Sequence, residues 1–451
     1  MTEGPIFVKM FMFAIPIMLT GVLQLLFNAA DMVVVGNFAH EGTAEVGAVG
    51  SCSALINLIV NTAMGLSIGV GVAVAHDIGS GDRERLHSVI HTAISFSAIL
   101  GVGVALLGFF LAEPLLKLMG TDQGLLPSAV AYMKAYFIGV PACMVYNYAA
   151  AAIRSAGDTV RPLIFLTSSG VVNVILNLIF VLGFGMGAEG VGLATAISQY
   201  IAMGLALIYM LKTNKVFNIS VKSLMPQKAA VMRILKIGVP SGVSSMLFSF
   251  SNVLIQSTVN SYGAAVISGH SAAGTIDGFV YMILYSVSQT AIVFTGQNMG
   301  AKKYDRLNKI VICSAFILLI VGVSSSSLVM LFSNQLLGFV APGDPAVIAA
   351  GMRRLIMMCA PYVLCGFMDT MASINKGMGK QIIPTLIVLI GTCAARAVWI
   401  LTICRIFPGS PENPGNIYWL YLSYPVTWSV AFIGNLIYYK IIMHEYQSKT
   451  V

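Results

Sequence analysis

Apolar residues run along this chain in long blocks, each closed by a short cluster of charged, Gly, Pro or Asn residues. Twelve such blocks are recognisable, at about 7–36, 46–75, 88–112, 128–152, 161–184 and 190–211, then 233–262, 265–296, 307–332, 347–374, 382–406 and 416–442. A helix rising 1.5 Å per residue needs about 20 apolar residues to cross a hydrocarbon core of about 30 Å. Every block meets that length, so each predicts a membrane-spanning helix. No stretch outside the blocks is long enough for a separate soluble domain.

Composition removes the alternatives. Of 451 residues, 57% are hydrophobic and 9% charged, with a mean hydropathy of +0.87. Soluble domains carry roughly 25% charged residues, and disordered chains or coiled coils depend on charge still more. Glycine, at 44 residues, suits helices that pack backbone against backbone. The seven cysteines all lie in apolar blocks without a CxxC pair, and read as packing residues with no disulfide framework or metal site. The first block follows Lys9 without a cleavage motif and is expected to stay as the first helix.

The net charge of +8 invites a nucleic-acid reading, but its placement fits membrane orientation better. With the N-terminus in the cytoplasm, 19 of the 25 Lys and Arg fall in cytoplasmic segments. These are Lys9; Arg83 and Arg85; Arg154 and Arg161; Lys212, Lys215, Lys222, Lys228, Arg233 and Lys236; Lys302, Lys303, Arg306 and Lys309; Lys376 and Lys380; Lys440 and Lys449. The other side keeps Lys117, Lys134, Arg353, Arg354 and Arg405, and Arg396 lies inside a span. A miscounted helix would invert every later loop and destroy this asymmetry. The expectation is an all-α integral membrane protein of twelve spans with both termini cytoplasmic. The charged connector also suits contact with anionic lipid. Asn218, the acceptor of a glycosylation motif, falls in it and is discounted for that reason.

The two sets of six repeat one another. Pro16 recurs as Pro240, with Asn28 and Asn252 each twelve residues later. His76-Asp77-Ile78-Gly79 recurs as Gln297-Asn298-Met299-Gly300, and Arg154, Gly157 and Pro162 recur as Lys376, Gly379 and Pro384. The offsets are 224, 221 and 222. Six spans return the chain to its starting side, so the halves share one orientation, related by a pseudo-twofold axis along the membrane normal. The expected division is an N-terminal six-helix bundle at 1–211, a connector at 212–232 and a C-terminal six-helix bundle at 233–451. Repeats of this kind mark transporters, with the substrate path between the halves, although other membrane folds also arise by duplication.

Three acidic residues fall within spans: Asp31, Asp277 and Asp369. A charge in hydrocarbon is expensive, so an intramembrane carboxylate is a functional candidate by default. Asp31 lies fifteen residues past Pro16, where a missing amide donor lets the first helix bend. The fifth span carries Asn173 and Asn177 four residues apart on one face, and Thr195 opens the sixth. A carboxylate, two amide oxygens and a hydroxyl are hard ligands that suit a small cation or a proton relay. Interhelical hydrogen bonding explains the asparagines equally well. Arg396 needs a partner, with Asp369, Asp277 or a helix end available. His270 reads as a hydrogen-bonded helix-end residue, and Trp399, Trp419 and Trp428 as candidates for interfacial anchors.

These motifs resemble the MATE (multidrug and toxic compound extrusion) family, prokaryotic type, over nearly the whole chain. The resemblance rests on Asp31-Met32-Val33-Val34-Val35-Gly36, on the Gly79 and Gly300 loops, on Arg154-Ser155-Ala156-Gly157-Asp158-Thr159 and on Gly190-Val191-Gly192-Leu193-Ala194-Thr195. It implies an antiporter that opens alternately to either side and exports organic, often cationic compounds against inward H⁺ or Na⁺. Asp31, Asn173 and Thr195 match the family's coupling site, where Na⁺ or a proton binds, and Pro16 matches its first-helix bending proline. Asn177 stands where family members often have a second Asp, which leaves the coupling ion open. Another branch couples through acidic residues of helices seven and ten. Here helix seven offers only Gln256, and Asp369 sits about a turn from the expected place. Gln256, Asp277 and Asp369 are therefore candidates for the substrate cleft.

The resemblance implies small cationic or amphiphilic organic partners, with no cofactor beyond the coupling ion. Expected also are a monomer among membrane lipids and a bacterial plasma membrane. Nucleic acid is not expected as a partner. No P-loop occurs, and no nucleophile with a positioned base or H-E-x-x-H motif suggests an enzyme. A flippase of lipid or lipid-linked precursors is the nearest rival. Such a cavity calls for several Arg or Lys, and Arg396 alone lies within a span.

Overall fold

The computed structural model describes residues 1–38, 42–213, 217, 219–220, 224–340, 344–407 and 416–448. Lys215, Asn218, Lys222 and Lys449 lie outside the described residues. The described chain is nearly all helix and contains no strand. In order, the helices are α1 (Ile6–Phe38), α2 (Gly42–Ser80), α3 (Arg83–Leu118), α4 (Leu126–Ser155), α5 (Val160–Leu178), α6 (Ala188–Lys212), α7 (Lys228–Asn260) and α8 (Ala264–Gly300). Then come α9 (Asp305–Leu331), α10 (Ser333–Val340), α11 (Pro345–Cys359), α12 (Tyr362–Gly377), α13 (Ile382–Val388), α14 (Ala395–Ile406) and α15 (Ile417–Ser448). Helix α5 continues as a π-helical turn at Ile179–Gly183, and a second π-helical run, Leu389–Ala394, joins α13 to α14.

Among the described residues, eleven helices are long and apolar enough to span a membrane, or twelve if α11 and α12 form one. These two are bent by 46°. The apolar pattern at 347–374 predicts a single span. Pro361 at the start of α12 explains the break, since it has no amide to donate and crowds the preceding turn. Several helices outrun their apolar blocks. Helix α2 has 39 residues, about 58 Å at the α-helical rise, so its polar ends project past the hydrocarbon.

The helix-ending loops carry the internal repeat into three dimensions. The amide of Gly157 donates to Arg154 O (2.9 Å) and that of Asp158 to Ile153 O (3.2 Å). At an offset of 222, Gly379 donates to Lys376 O (2.9 Å) and Lys380 to Asn375 O (3.2 Å). Gly157 and Gly379 both take a left-handed backbone, at φ of 105° and 83°. In the other repeated loop Gly81 has φ 74°, and its counterpart Lys302 takes φ 58° without the freedom of glycine.

The helices form two compact units, Val22–Gly242 and Met1–Gly21 with Val243–Val451. This partition differs from a cut at the connector, because α1 and α7 each pass from one unit into the other. The Val22–Gly242 unit is built around α4, which packs on α2, α3 and α6. Its α2–α7 crossing is made by backbone. A Cβ on Gly65 would sit 2.6 Å from Gly242 Cα, one on Gly69 2.3 Å from Ile234 O, and one on Gly238 2.7 Å from Leu66 O. Gly65/Gly69 and Gly238/Gly242 are each four residues apart, the small-xxx-small spacing that lets membrane helices touch.

The described residues of the connector are tied to this unit. Phe217 is buried beside Tyr209. The Ser220 amide donates to His91 Nε2 (3.0 Å), the Gln227 amide to Thr92 Oγ1 (3.1 Å), and Ser88 Oγ to Gln227 Oε1 (2.6 Å). Arg233 then grips both oxygens of buried Asp77 at 2.7 and 2.8 Å. In the other unit α8 packs on α9, α11 and α12, α12 packs on α15, and Phe13 of α1 meets Phe294 edge-on at 5.6 Å.

Candidate functional site

Asp31, Asn173, Asn177 and Thr195 come together inside the Val22–Gly242 unit. Their placement begins one turn away. Phe27, four residues before Asp31 on α1, lies over Gly170, three residues before Asn173 on α5. A Cβ on Gly170 would fall 2.0 Å from the Phe27 ring. Only glycine lets α1 approach this closely, and the next turn of each helix then carries Asp31 against the two asparagines. Helix α6 is held at its start by Glu45 of α2, which accepts from the Ala188 amide (2.7 Å) and from Ser128 Oγ (3.1 Å). Thr195 lies two turns further along α6.

Asn177 Nδ2 donates to Asp31 Oδ1 at 2.6 Å. The orientation of the Asn173 amide follows from its neighbours: its nitrogen faces Asp31 Oδ1 at 2.8 Å and its oxygen accepts from the Thr195 amide at 3.3 Å. One carboxylate oxygen thus takes two amide donors. The Thr195 hydroxyl donates to Val191 O at 2.9 Å. Both asparagines are buried, and Asn177 Oδ1 is a buried acceptor with no hydrogen-bond partner. Tyr132 and Tyr136 of α4 stand within electrostatic reach of Asp31. No Lys or Arg pairs with Asp31 among the described residues.

The arrangement suits a small monovalent cation or a proton. The set holds one negative charge, and the unpartnered oxygen of Asn177 is a neutral ligand poised beside it. A π-helical turn begins two residues after Asn177, and such turns recur at functional positions. Pro16 lies in the part of α1 that belongs to the other unit. The helix continues through it, with Thr20 Oγ1 donating to Pro16 O at 2.7 Å.

The remaining candidates are placed separately. Gln256 is half-buried and donates to Asn260 Oδ1 at 3.0 Å. Asp277 is buried against Arg354, at 2.9 and 3.0 Å through two guanidinium nitrogens, and Arg354 also donates to His270 O at 3.0 Å. Charge counting assigns Arg354 to a loop. Its helix starts at Pro345, which carries it into the interior. Asp369 lies near Tyr281 and Lys376. Arg396 pairs with neither Asp277 nor Asp369; it donates to Thr427 Oγ1 at 3.2 Å and stacks over Tyr424. His270 bonds to the Tyr421 hydroxyl at 3.1 Å. Trp428 is buried and so is no interfacial anchor. Sequence reasoning missed Phe27, Gly170 and Glu45. The spacings Phe27–Asp31 and Gly170–Asn173 were the available signal.

Comparison with known proteins adds three findings. The family model described as MatE matches residues 16–179 and 240–400, once in each half. Among curated relatives, "Probable multidrug resistance protein YoeA" of Bacillus subtilis is 26% identical over 448 residues, covering 97% of this chain and 94% of the relative. "Probable multidrug resistance protein YpnP" of the same species is 30% identical over 306 residues, 68% of each chain. A "FAD transporter" of Shewanella oneidensis is 22% identical over 67% of each chain. A solved structure described as the outward-facing conformation of a multidrug resistance MATE family transporter of the MOP superfamily shares the fold. Its TM-score is 0.89 at 20% identity, covering 99% of this chain and 98% of that one.

Proposed function

The chain belongs to the MatE family, and from that premise we propose that it is a cation-coupled antiporter exporting small amphiphilic organic compounds, cationic ones among them. It is a multi-pass membrane transporter and not an enzyme. The observation that carries the coupling is the Asp31 carboxylate, held by two asparagine amides and unpaired with any described Lys or Arg. A proton on Asp31 removes the charge that both amides serve. A Na⁺ would instead draw on the carboxylate and on Asn177 Oδ1, the acceptor that has no partner.

Either event loosens the two donor bonds that tie α1 to α5, and α1 then repacks about Pro16. Export follows because neutral and charged Asp31 favour different packings. A differential of about 5.5 kcal/mol moves such an equilibrium from 1:99 to 99:1. The positive residues of the alternate loops support cytoplasmic termini; the reading adds a bacterial plasma membrane and a monomer as the working unit.

The test is ethidium transport in proteoliposomes, with a Na⁺ gradient and a proton gradient imposed separately. Transport driven by one of them and lost in Asp31→Asn supports the reading and names the ion. Undiminished gradient-driven transport by Asp31→Asn would refute it.

A further inference from the structure

Within the Val243–Val451 segment, Arg354, Lys376 and Arg396 are cations set away from the helix-end charge clusters, and Asp277 and Asp369 are carboxylates beside the first two. Arg354 is bound by Asp277, and Lys376 lies near Asp369. Among the described residues Arg396 has no carboxylate partner. It is 3% exposed, and one terminal nitrogen donates to Thr427 Oγ1 at 3.2 Å. Its guanidinium lies 4.1 Å from the centre of the Tyr424 ring, and its Nε is buried without an acceptor. Thr427 is a neutral partner whose own proton goes to Ser423 O at 2.7 Å. A buried cation so weakly held bears a desolvation penalty that an anion would relieve.

Two further features surround it. The π-helical run Leu389–Ala394 ends directly before Arg396. One residue inserted in a helix rotates all that follows by about 100°, so the π run sets which way Arg396 faces. Tyr424 also begins a buried aromatic cluster, with Trp428 at 5.6 Å from it and Tyr362 at 5.4 Å from Trp428. A guanidinium matches a carboxylate or phosphate through parallel hydrogen bonds, and its neutral contacts here are easily surrendered. Arg354, clamped by Asp277, lacks that freedom.

We propose that Arg396 is an anion-recognition residue, taking the carboxylate or phosphate of a planar aromatic substrate that stacks against Tyr424 and Trp428. This rests on the exporter reading and extends its substrates to amphiphiles carrying an acidic group.

The experiment compares three probes in gradient-driven proteoliposomes: ethidium, coumarin-3-carboxylate and coumarin-3-carboxamide. Wild type is expected to carry the carboxylate at least tenfold better than the amide. Arg396→Gln loses at least tenfold on the carboxylate through a raised KM and keeps ethidium within twofold. Arg396→Lys restores part of the carboxylate transport, since it keeps the charge without the planar fork.

Equal loss of carboxylate and ethidium in well-folded Arg396→Gln would make the residue structural and overturn the proposal. So would a wild type that carries ethidium but does not prefer the acid to its amide, a comparison that holds even where Arg396→Gln fails to fold. A wild type that moves none of the probes under either gradient would overturn the exporter reading itself.

Discussion

Replacing Gly170 by Val tests how the coupling residues are held. The first added carbon would fall 2.0 Å from the Phe27 ring, about 1.5 Å short of van der Waals separation. Overpacking of this kind costs about 1–3 kcal/mol. The strain is relieved by moving α1 away from α5, and Asp31 is one turn further along α1. Shifting it by the same amount stretches the 2.6 Å bond to Asn177 to about 4 Å, outside hydrogen-bonding range. If the penalty falls on the transport-competent state, activity drops by about five- to 150-fold. The assay is gradient-driven ethidium transport, with thermal unfolding in detergent to separate misfolding from misplacement. Phe27→Ala removes the obstructing ring, so the double variant Gly170→Val/Phe27→Ala recovers activity relative to Gly170→Val alone, with a coupling of about 1 kcal/mol or more. Wild-type transport by Gly170→Val, or strictly additive losses in the double variant, would refute the argument.

Three further outcomes follow from the same geometry. Asn177→Asp sets a second carboxylate within hydrogen-bonding distance of Asp31, so the pair needs a shared proton or a cation to coexist. Transport by that variant becomes more steeply dependent on the coupling ion, as initial rates at varied Na⁺ and pH will show. Asp77→Asn breaks the ion pair in which one Arg233 nitrogen donates to both Asp77 oxygens and lowers stability by about 2 kcal/mol, less than the 3–5 of a fully buried pair because the Arg233 side chain is 34% exposed; thermal unfolding reads this directly. Asp277→Ala strands Arg354 and destabilises by about 3–5 kcal/mol, and adding Arg354→Met restores most of the loss. An unchanged melting temperature in Asp277→Ala would show that the pair contributes nothing.

Much of the architecture was legible because hydrocarbon imposes a simple rule on the chain. A spanning segment must be apolar and about 20 residues long, and each of the twelve apolar blocks is helical in the structure. The charged turns revealed the repeat, and the structure shows the same backbone hydrogen bonds at the same offsets. Asp31, Asn173 and Asn177 could be singled out because polar groups in apolar blocks are few. What stayed hidden depends on which faces meet. Arg354 looked like a loop cation until α11 carried it onto Asp277. The 46° bend had only Pro361 as its sign, since the apolar pattern continues through it. Gly170 was one glycine among 44, and only its spacing of three residues from Asn173 set it apart.

The α2–α7 crossing bears on how this chain tolerates change over time. Most packing contacts can be remodelled stepwise, because a larger side chain on one helix is offset by a smaller one opposite. Here Gly65, Gly69 and Gly238 have nothing smaller to exchange for, and the surfaces they meet are backbone. A mutation at any of them has no compensating partner to recruit locally. Drift at these positions should therefore yield conditional alleles, functional in cool cultures and lost in warm ones, whose revertants restore the glycine itself.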